Sequence, residues 1–156
     1  MELSQRKHLR IGATMKIIKA DITHLDNVYE LLCELENKDL DKNEFIKIYQ
    51  DNLNDSNIHY YLAVDELVII GFASLHIQKL LHHCACIGEI QEIIITKNQQ
   101  KSGAGTVLFN KVKETAIQNN CSELEVCCNN IRVNSHKFYL KQGMINSHYK
   151  FTYHLD

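Results

Sequence analysis

The chain has 156 residues and a mass of 18.1 kDa, with 45% hydrophobic and 23% charged residues, enough apolar content for one globular core and too little length for two. Seventeen Lys and Arg against nineteen Asp and Glu give a formal charge of −2 and an isoelectric point near 6.5, so the basic field that holds a nucleic-acid backbone is missing and no nucleic-acid partner is expected. Proline is absent and glycine is limited to six, which excludes collagen-like and Pro-rich spacer sequences.

Residues 1–14 carry no periodicity and read as a mobile N-terminal extension, leaving 15–156 as a single domain. Met15 to Ala20 reads as a short strand, and Asp21 or Thr23 can cap a helix whose apolar stripe is Leu25, Val28, Leu31, Leu32 and Leu35. Asp41 can cap a second helix through Phe45, Ile48, Tyr49 and Leu53. The period then changes from about 3.6 to 2. Ile58 to Val64 and Val68 to Ile77, joined by Asp65-Glu66, predict an antiparallel hairpin, and Cys84 to Thr96 a third strand. A loop from Lys97 to Gly103 leads into an amphipathic helix with Val107, Leu108, Val112, Ala116 and Ile117 on one face. Leu124 to Cys128 predicts a strand, Ser135 to Gln142 a helix ended by Gly143, and Tyr149 to Leu155 a last strand. The order βααβββαβαβ predicts an α/β (α+β) domain, a central mixed and mostly antiparallel sheet flanked by helices.

No run approaches the length of a membrane span and the N-terminus has no signal-peptide core, so no membrane attachment is expected and the expected location is cytoplasmic. In a reducing compartment the six cysteines are expected to be thiols, most of them buried.

The segment from Glu92 to Phe109 carries the most chemistry. A buried strand runs into a turn with Gly103 and Gly105 two apart, and a helix starts at once, so backbone N–H groups and the helix dipole converge on one anion site. The loop has neither the G-x-G-x-x-G of a dinucleotide fold nor the G-x-x-x-x-G-K-[ST] of a nucleotide-triphosphate loop. Within the preceding strand, Glu89 and Glu92 interrupt an apolar run, and burying either without a partner or a task is costly. By strict alternation Gln91 shares the face of Glu89; a bulge, for which Gly88 is the candidate, would bring in Glu92 as the reserve carboxylate.

Gln100-Lys-Ser-Gly103-Ala-Gly105 matches a Q/R-x-x-G-x-G/A motif, and Phe138-Tyr-Leu-Lys-Gln-Gly-Met144 an F-Y-x-K-x-G-F segment; with the element order, they resemble the GNAT superfamily of N-acetyltransferases. The resemblance implies a GNAT fold, acetyl-CoA as cosubstrate and a small-molecule amine as acceptor, and it admits a homodimer. It implies that acetyl-CoA is held by backbone groups of Ile93, Ile94 and Ile95 and by Gln100, Lys101, Ser102, Gly103, Ala104, Gly105 and Thr106. Glu89 falls where relatives keep a general base, and Tyr139 matches the tyrosine that protonates the departing thiolate.

A narrower likeness runs through Cys33 to Glu36, His76 to His83, Ile87 to Glu92, His136 to Leu140 and Ser147 to Thr152, which are similar to the aminoalkylphosphonate N-acetyltransferases. For such a substrate His82, His83, Gln91 and Arg132, with Lys79 nearby, are the candidate binding residues, because a doubly negative phosphonate calls for charge-assisted hydrogen bonds. That subfamily depends on a divalent ion, which leaves Glu89 open as base or ligand. No metal site is predicted: His82-His83-Cys84 with Cys86 has no second ligand pair at zinc-finger spacing. Rival readings are another acceptor, namely a polyamine, antibiotic, amino acid or protein N-terminus, or a catalytically silent acyl-CoA-binding module.

Overall fold

A computed structural model describes residues 15–155; the expected N-terminal extension, residues 1–14, lies outside them. Among the described residues five strands form one sheet in the order β1-β2-β3-β4-β5: β1 (Lys16–Lys19), β2 (Ile58–Asp65), β3 (Val68–Leu80), β4 (Ala85–Ile95) and β5 (Cys121–Val126). The first three pairings are antiparallel. The pairing of β4 with β5 is parallel, as a crossover through a helix requires. The helices are α1 (Leu25–Glu36), α2 (Lys42–Leu53), α3 (Ala104–Gln118) and α4 (Val133–Lys141).

Two apolar layers fix the helices to opposite faces. On one, Val28 and Leu32 of α1 and Tyr49 of α2 pack on Leu62, Phe72 and Ile94; on the other, Leu108, Val112 and Ala116 of α3 pack on Tyr61, Leu75 and Ile90. Asp41 caps α2 as expected, accepting from Glu44 N–H at 3.0 Å, whereas Asp21 caps the 3-10 turn Ile22–His24, accepting from Thr23 N–H at 2.8 Å, and α1 starts after His24 without a side-chain cap. The six cysteines are all free thiols, and none is fully buried.

Three expectations are corrected. The β2–β3 turn is Glu66-Leu67, both with positive φ (45° and 71°), the geometry of a type I′ hairpin built without its usual Asn or Gly. The strand expected at Leu124 to Cys128 starts at Cys121 and ends at Val126. The last strand expected at Tyr149 to Leu155 does not form: the segment after α4 carries no regular secondary structure. Alternation supplies the propensity, but a strand exists through its ladder, and among the described residues no strand pairs with that segment.

Candidate active site

The register of β4 places the chemistry. Ser74 of β3 pairs with Glu92 and Leu75 with Ile90, so Gln91 is an extra residue on β4, a bulge. Its position differs from the one expected at Gly88, which stays in register opposite Ile77. Because the bulge absorbs one residue of alternation, Glu92 (opposite Ser74) and Glu89 (opposite His76) lie on the same face, the one covered further along by α1 and α2. Glu92 is anchored: Ser74, fully buried, donates its hydroxyl to the Glu92 carboxylate and accepts from Glu92 N–H at 3.1 Å. Glu89 is half-buried and, among the described residues, holds no hydrogen bond or ion pair.

Glu92, Gln91 and His76 share the wall of a pocket of about 490 Å³ between α1, α2 and the sheet, with Asn52, Tyr49 and Tyr60 as its other residues with polar groups. Asn52 donates to the Tyr60 hydroxyl at 2.6 Å, which leaves the phenol proton free to point at a ligand. Burial first, and the Glu92 carboxylate as well, raise the Tyr60 pKa above its ordinary 10.0, against the Asn52 hydrogen bond. The phenol is therefore neutral at physiological pH.

On the other edge of β4 the sheet splits. β5 follows β4 only as far as the Ile90–Val126 pair, so the last residues of β4 have a free edge. Thr96 N–H donates to Ile70 O across the β3–β4 ladder at 2.8 Å, and alternation turns Ile94 the same way and Ile93 and Ile95 toward the gap. There Ile95 O accepts from Gln100 Nε2 at 3.1 Å. Ile94 instead gives its side chain to the α1/α2 core, at 8% exposure.

The gap ends at the N-terminus of α3. Gly103 has φ +87°, a conformation costly for a side-chain-bearing residue, and a Cβ there would meet nothing within 4 Å, so the space above the turn is open. Ser102 Oγ takes the Ala104 N–H at 3.3 Å, while the N–H groups of Gly105 and Thr106 have no acceptor within the helix. Helix α4 closes the far side: a Cβ on Gly105 would touch Phe138 at 3.4 Å and Ile95 at 3.7 Å, and Gln142 Nε2 donates to Thr106 Oγ1 at 3.1 Å. Tyr139, the neighbour of Phe138 on α4, is half-buried. Burial first, then Cys128, raises its pKa well above 10.0, with Arg132 opposing. A free strand edge, open backbone space and unsatisfied N–H groups in line suit a pantetheine arm ending in a pyrophosphate.

Three of the predicted substrate residues lie elsewhere. Arg132 spans to the end of α1, donating to Leu35 O at 3.3 Å and Glu36 Oε1 at 2.8 Å. His83 sits at the β3–β4 turn beside Glu123 (3.6 Å) and Glu125 (3.7 Å) of β5, with the His82 ring 4.3 Å from its own. His83, Glu123 and Glu125 are the one His, Cys and acid group among the described residues close enough to share an ion, and Glu89 is not part of it. The residues that sequence reasoning missed are His76, Tyr60 and Asn52. His76 carried a signal: alternation puts it on the same face of its strand as Ser74, two polar residues next to an apolar run.

A sheet that splits beside a glycine turn, with a pocket across the strand, fits the class of acyltransferases that take their acyl group from a coenzyme A thioester. The comparisons agree. The Acetyltransferase (GNAT) family matches residues 25–144. An aminoalkylphosphonate N-acetyltransferase of Salmonella typhimurium is 39% identical over 127 residues, 81% of this chain and 82% of the relative. A glucosamine 6-phosphate N-acetyltransferase of Candida albicans is 26% identical, over 85% of this chain and 89% of the relative. Among solved structures, an aminoglycoside N-acetyltransferase in complex with CoA superposes with a TM-score of 0.83 at 18% identity, covering 92% of this chain and 96% of that one. The chain belongs to the acetyltransferase (GNAT) family, and it is an acetyl-CoA-dependent N-acetyltransferase. No described helix is long and apolar enough to cross a membrane.

Proposed function

We propose that this enzyme acetylates a small primary amine bearing an anionic group, an aminoalkylphosphonate first, by direct attack within a ternary complex. The observation that carries the reading is the bulge at Gln91, which turns Glu89 and Glu92 to the same face as His76, one strand edge away from the gap. The identity to an aminoalkylphosphonate N-acetyltransferase over four-fifths of both chains supports the acceptor class. Acetyl-CoA, when bound, supplies a thioester carbonyl already activated for acyl transfer.

The chain's own groups divide the remaining work. Gly105 and Thr106 N–H, at the positive end of the α3 dipole, hold the pyrophosphate, with Gln100, Lys101, Ser102, Gly103 and Ala104 shaping the turn. Ile93 and Ile95 present backbone groups to the pantetheine, and Ile93 N–H faces the carbonyl oxygen as charge develops there. Glu89 takes the proton from the substrate ammonium, directly or through one water, because its carboxylate is free whereas that of Glu92 is held by Ser74. The Tyr139 phenol, kept protonated by its burial, donates to the sulfur as the carbon–sulfur bond breaks. In the acceptor pocket His76 and the Tyr60 hydroxyl are the groups on hand for an anion, and Glu92 and Gln91 for the ammonium.

The test is thiol release from acetyl-CoA over a panel of aminomethyl- and aminoethylphosphonate, spermidine, an aminoglycoside and glucosamine 6-phosphate. Aminophosphonates should give the highest kcat/KM, at least about tenfold above their uncharged amine analogues, since one charge-assisted hydrogen bond contributes more than 1.4 kcal/mol. A preference for spermidine would overturn the anionic-acceptor reading.

A further inference from the structure

The last turn of α1 reaches in two directions, and neither contact touches the reacting groups. On one side both carboxylate oxygens of Glu34 are engaged at the exit of β4: Oε2 accepts from the Thr96 hydroxyl at 3.0 Å and Oε1 from Lys97 N–H at 2.8 Å. On the other side Arg132, at the start of α4, donates to Leu35 O and Glu36 Oε1. The body of the helix is held by Val28, Leu31 and Leu32, all buried. Glu34 therefore projects from a fixed helix end.

Its contact with Lys97 serves as a cap supplied by another element. Residues Lys97–Gln99 form a single 3-10 turn, and Thr96 before it makes no side-chain cap of its own. The Glu34 carboxylate takes that place with a charge-assisted hydrogen bond to the first N–H of the turn. The loop beyond it is demanding. Lys101 and Gly103 both have positive φ (65° and 87°), and Lys101 carries a side chain that disfavours this region. The loop's other hydrogen bonds are local: Gln99 N–H to Thr96 O at 2.9 Å, Gln100 Nε2 to Ile95 O at 3.1 Å and Ala104 N–H to Ser102 Oγ at 3.3 Å. Among the described residues, Glu34 alone gives residues 97–103 a hydrogen bond to a distant element.

We infer, on the reading of the gap as the acetyl-CoA site, that Glu34 is a positioning residue for acetyl-CoA. It holds the loop in the shape that aims the Gly105 and Thr106 N–H groups at the pyrophosphate. With Glu34 in place the anion site is formed before the ligand arrives. Without it the loop spreads over other conformations, and the apparent affinity falls with the fraction that remains competent. Glu89 and Tyr139 stand on β4 and α4, outside the loop, so the chemical step in the filled complex is spared. The signature is a change in KM with kcat retained.

Glu34→Ala should raise both the acetyl-CoA dissociation constant, read by calorimetric titration, and the acetyl-CoA KM at least about tenfold, with kcat and the amine KM within about twofold of wild type. Without ligand, the amides of residues 97–103 should exchange at least about tenfold faster in this variant, and those of β4 at the wild-type rate. A merely structural carboxylate would lower the urea midpoint and leave acetyl-CoA affinity unchanged, and that result would overturn the role of Glu34. Should Glu34→Ala fail to fold, Glu34→Gln decides. A neutral amide there replaces a charge-assisted acceptor, so a rise in the dissociation constant of at least about threefold is expected, and wild-type affinity overturns the role. Thr106→Glu, an exposed change that sets a negative charge where the pyrophosphate would lie, separates this role from the gap itself. Wild-type acetyl-CoA affinity in Thr106→Glu would remove the gap as the site, and the role of Glu34 with it. Weakened binding there beside wild-type affinity in Glu34→Ala would overturn the role of Glu34 alone.

Discussion

Glu89 and Glu92 share a face of β4 because Gln91 adds a residue to that strand, and the two carboxylates are then told apart by their neighbours. Glu92 is locked into a reciprocal pair with Ser74; Glu89 has no such anchor and stands opposite His76. Glu89→Gln should therefore lower kcat by at least about 100-fold, the lower end of what a positioned general base contributes, while leaving the acetyl-CoA dissociation constant unchanged. Rates like wild type in Glu89→Gln, with the loss found in Glu92→Gln instead, would move the base by three residues along the strand. Both carboxylates were legible in the sequence as charges inside an apolar run. A bulge could be anticipated there, but its place at Gln91 was not legible, because a bulge is a mismatch between two strands and β4 alone does not contain it. For the same reason Arg132 and the histidine pair look like anion ligands in the sequence, whereas in the fold Arg132 ties the approach to α4 onto α1 and His83 faces two glutamates.

Elements were readable in proportion to how local their causes are. Asp41 marks α2 and Asp21 the short turn that leads into α1, because a cap is a contact over two or three residues, and the α3 turn is marked by Gly103 because its φ admits few other residues. The β2–β3 turn lacks such a marker: Glu66 and Leu67 hold positive φ without being Gly or Asn, a cost of about 1–2 kcal/mol for each such residue. Leu67 is 91% exposed, so replacing it forfeits no packing. Glu66→Asn with Leu67→Gly should raise unfolding stability by about 1 kcal/mol, read as a higher urea midpoint at constant m-value. An unchanged midpoint would mean that the turn relaxes out of the type I′ geometry in solution. The tail after α4 shows the opposite limit, with strong alternation and no ladder among the described residues.

At the scale of the whole molecule, α1, α2 and the sheet are joined through a column of rings. Tyr29, Phe45, Tyr49, Tyr60 and Phe72 follow one another with centroids 5.2, 6.0, 5.4 and 5.3 Å apart. Tyr49, at 2% exposure, donates its hydroxyl to Asp21 O at 2.8 Å, so the layer that walls the pocket is fastened by a buried neutral phenol. Burial first, then the Tyr60 and Asp21 charges, raises the Tyr49 pKa well above its ordinary 10.0, and Tyr60 and Tyr139 are raised in the same direction. The sign follows from proton binding. Above pH 10 the unfolded chain releases phenolic protons that the native state retains, so this stabilisation is complete below pH 10 and is lost as pH rises through the folded values. Wild type and Tyr49→Phe should therefore differ by about 1 kcal/mol at pH 8, the net contribution of one hydrogen bond. That difference should fall steadily above pH 10, by about 1.4 kcal/mol per pH unit, and change sign before pH 11.5, because phenylalanine has no proton to lose. Urea unfolding of both proteins across that range checks it. A difference that stays constant would show that Tyr49 reaches solvent and titrates at its ordinary value, and the pocket layer would then be looser than its packing implies.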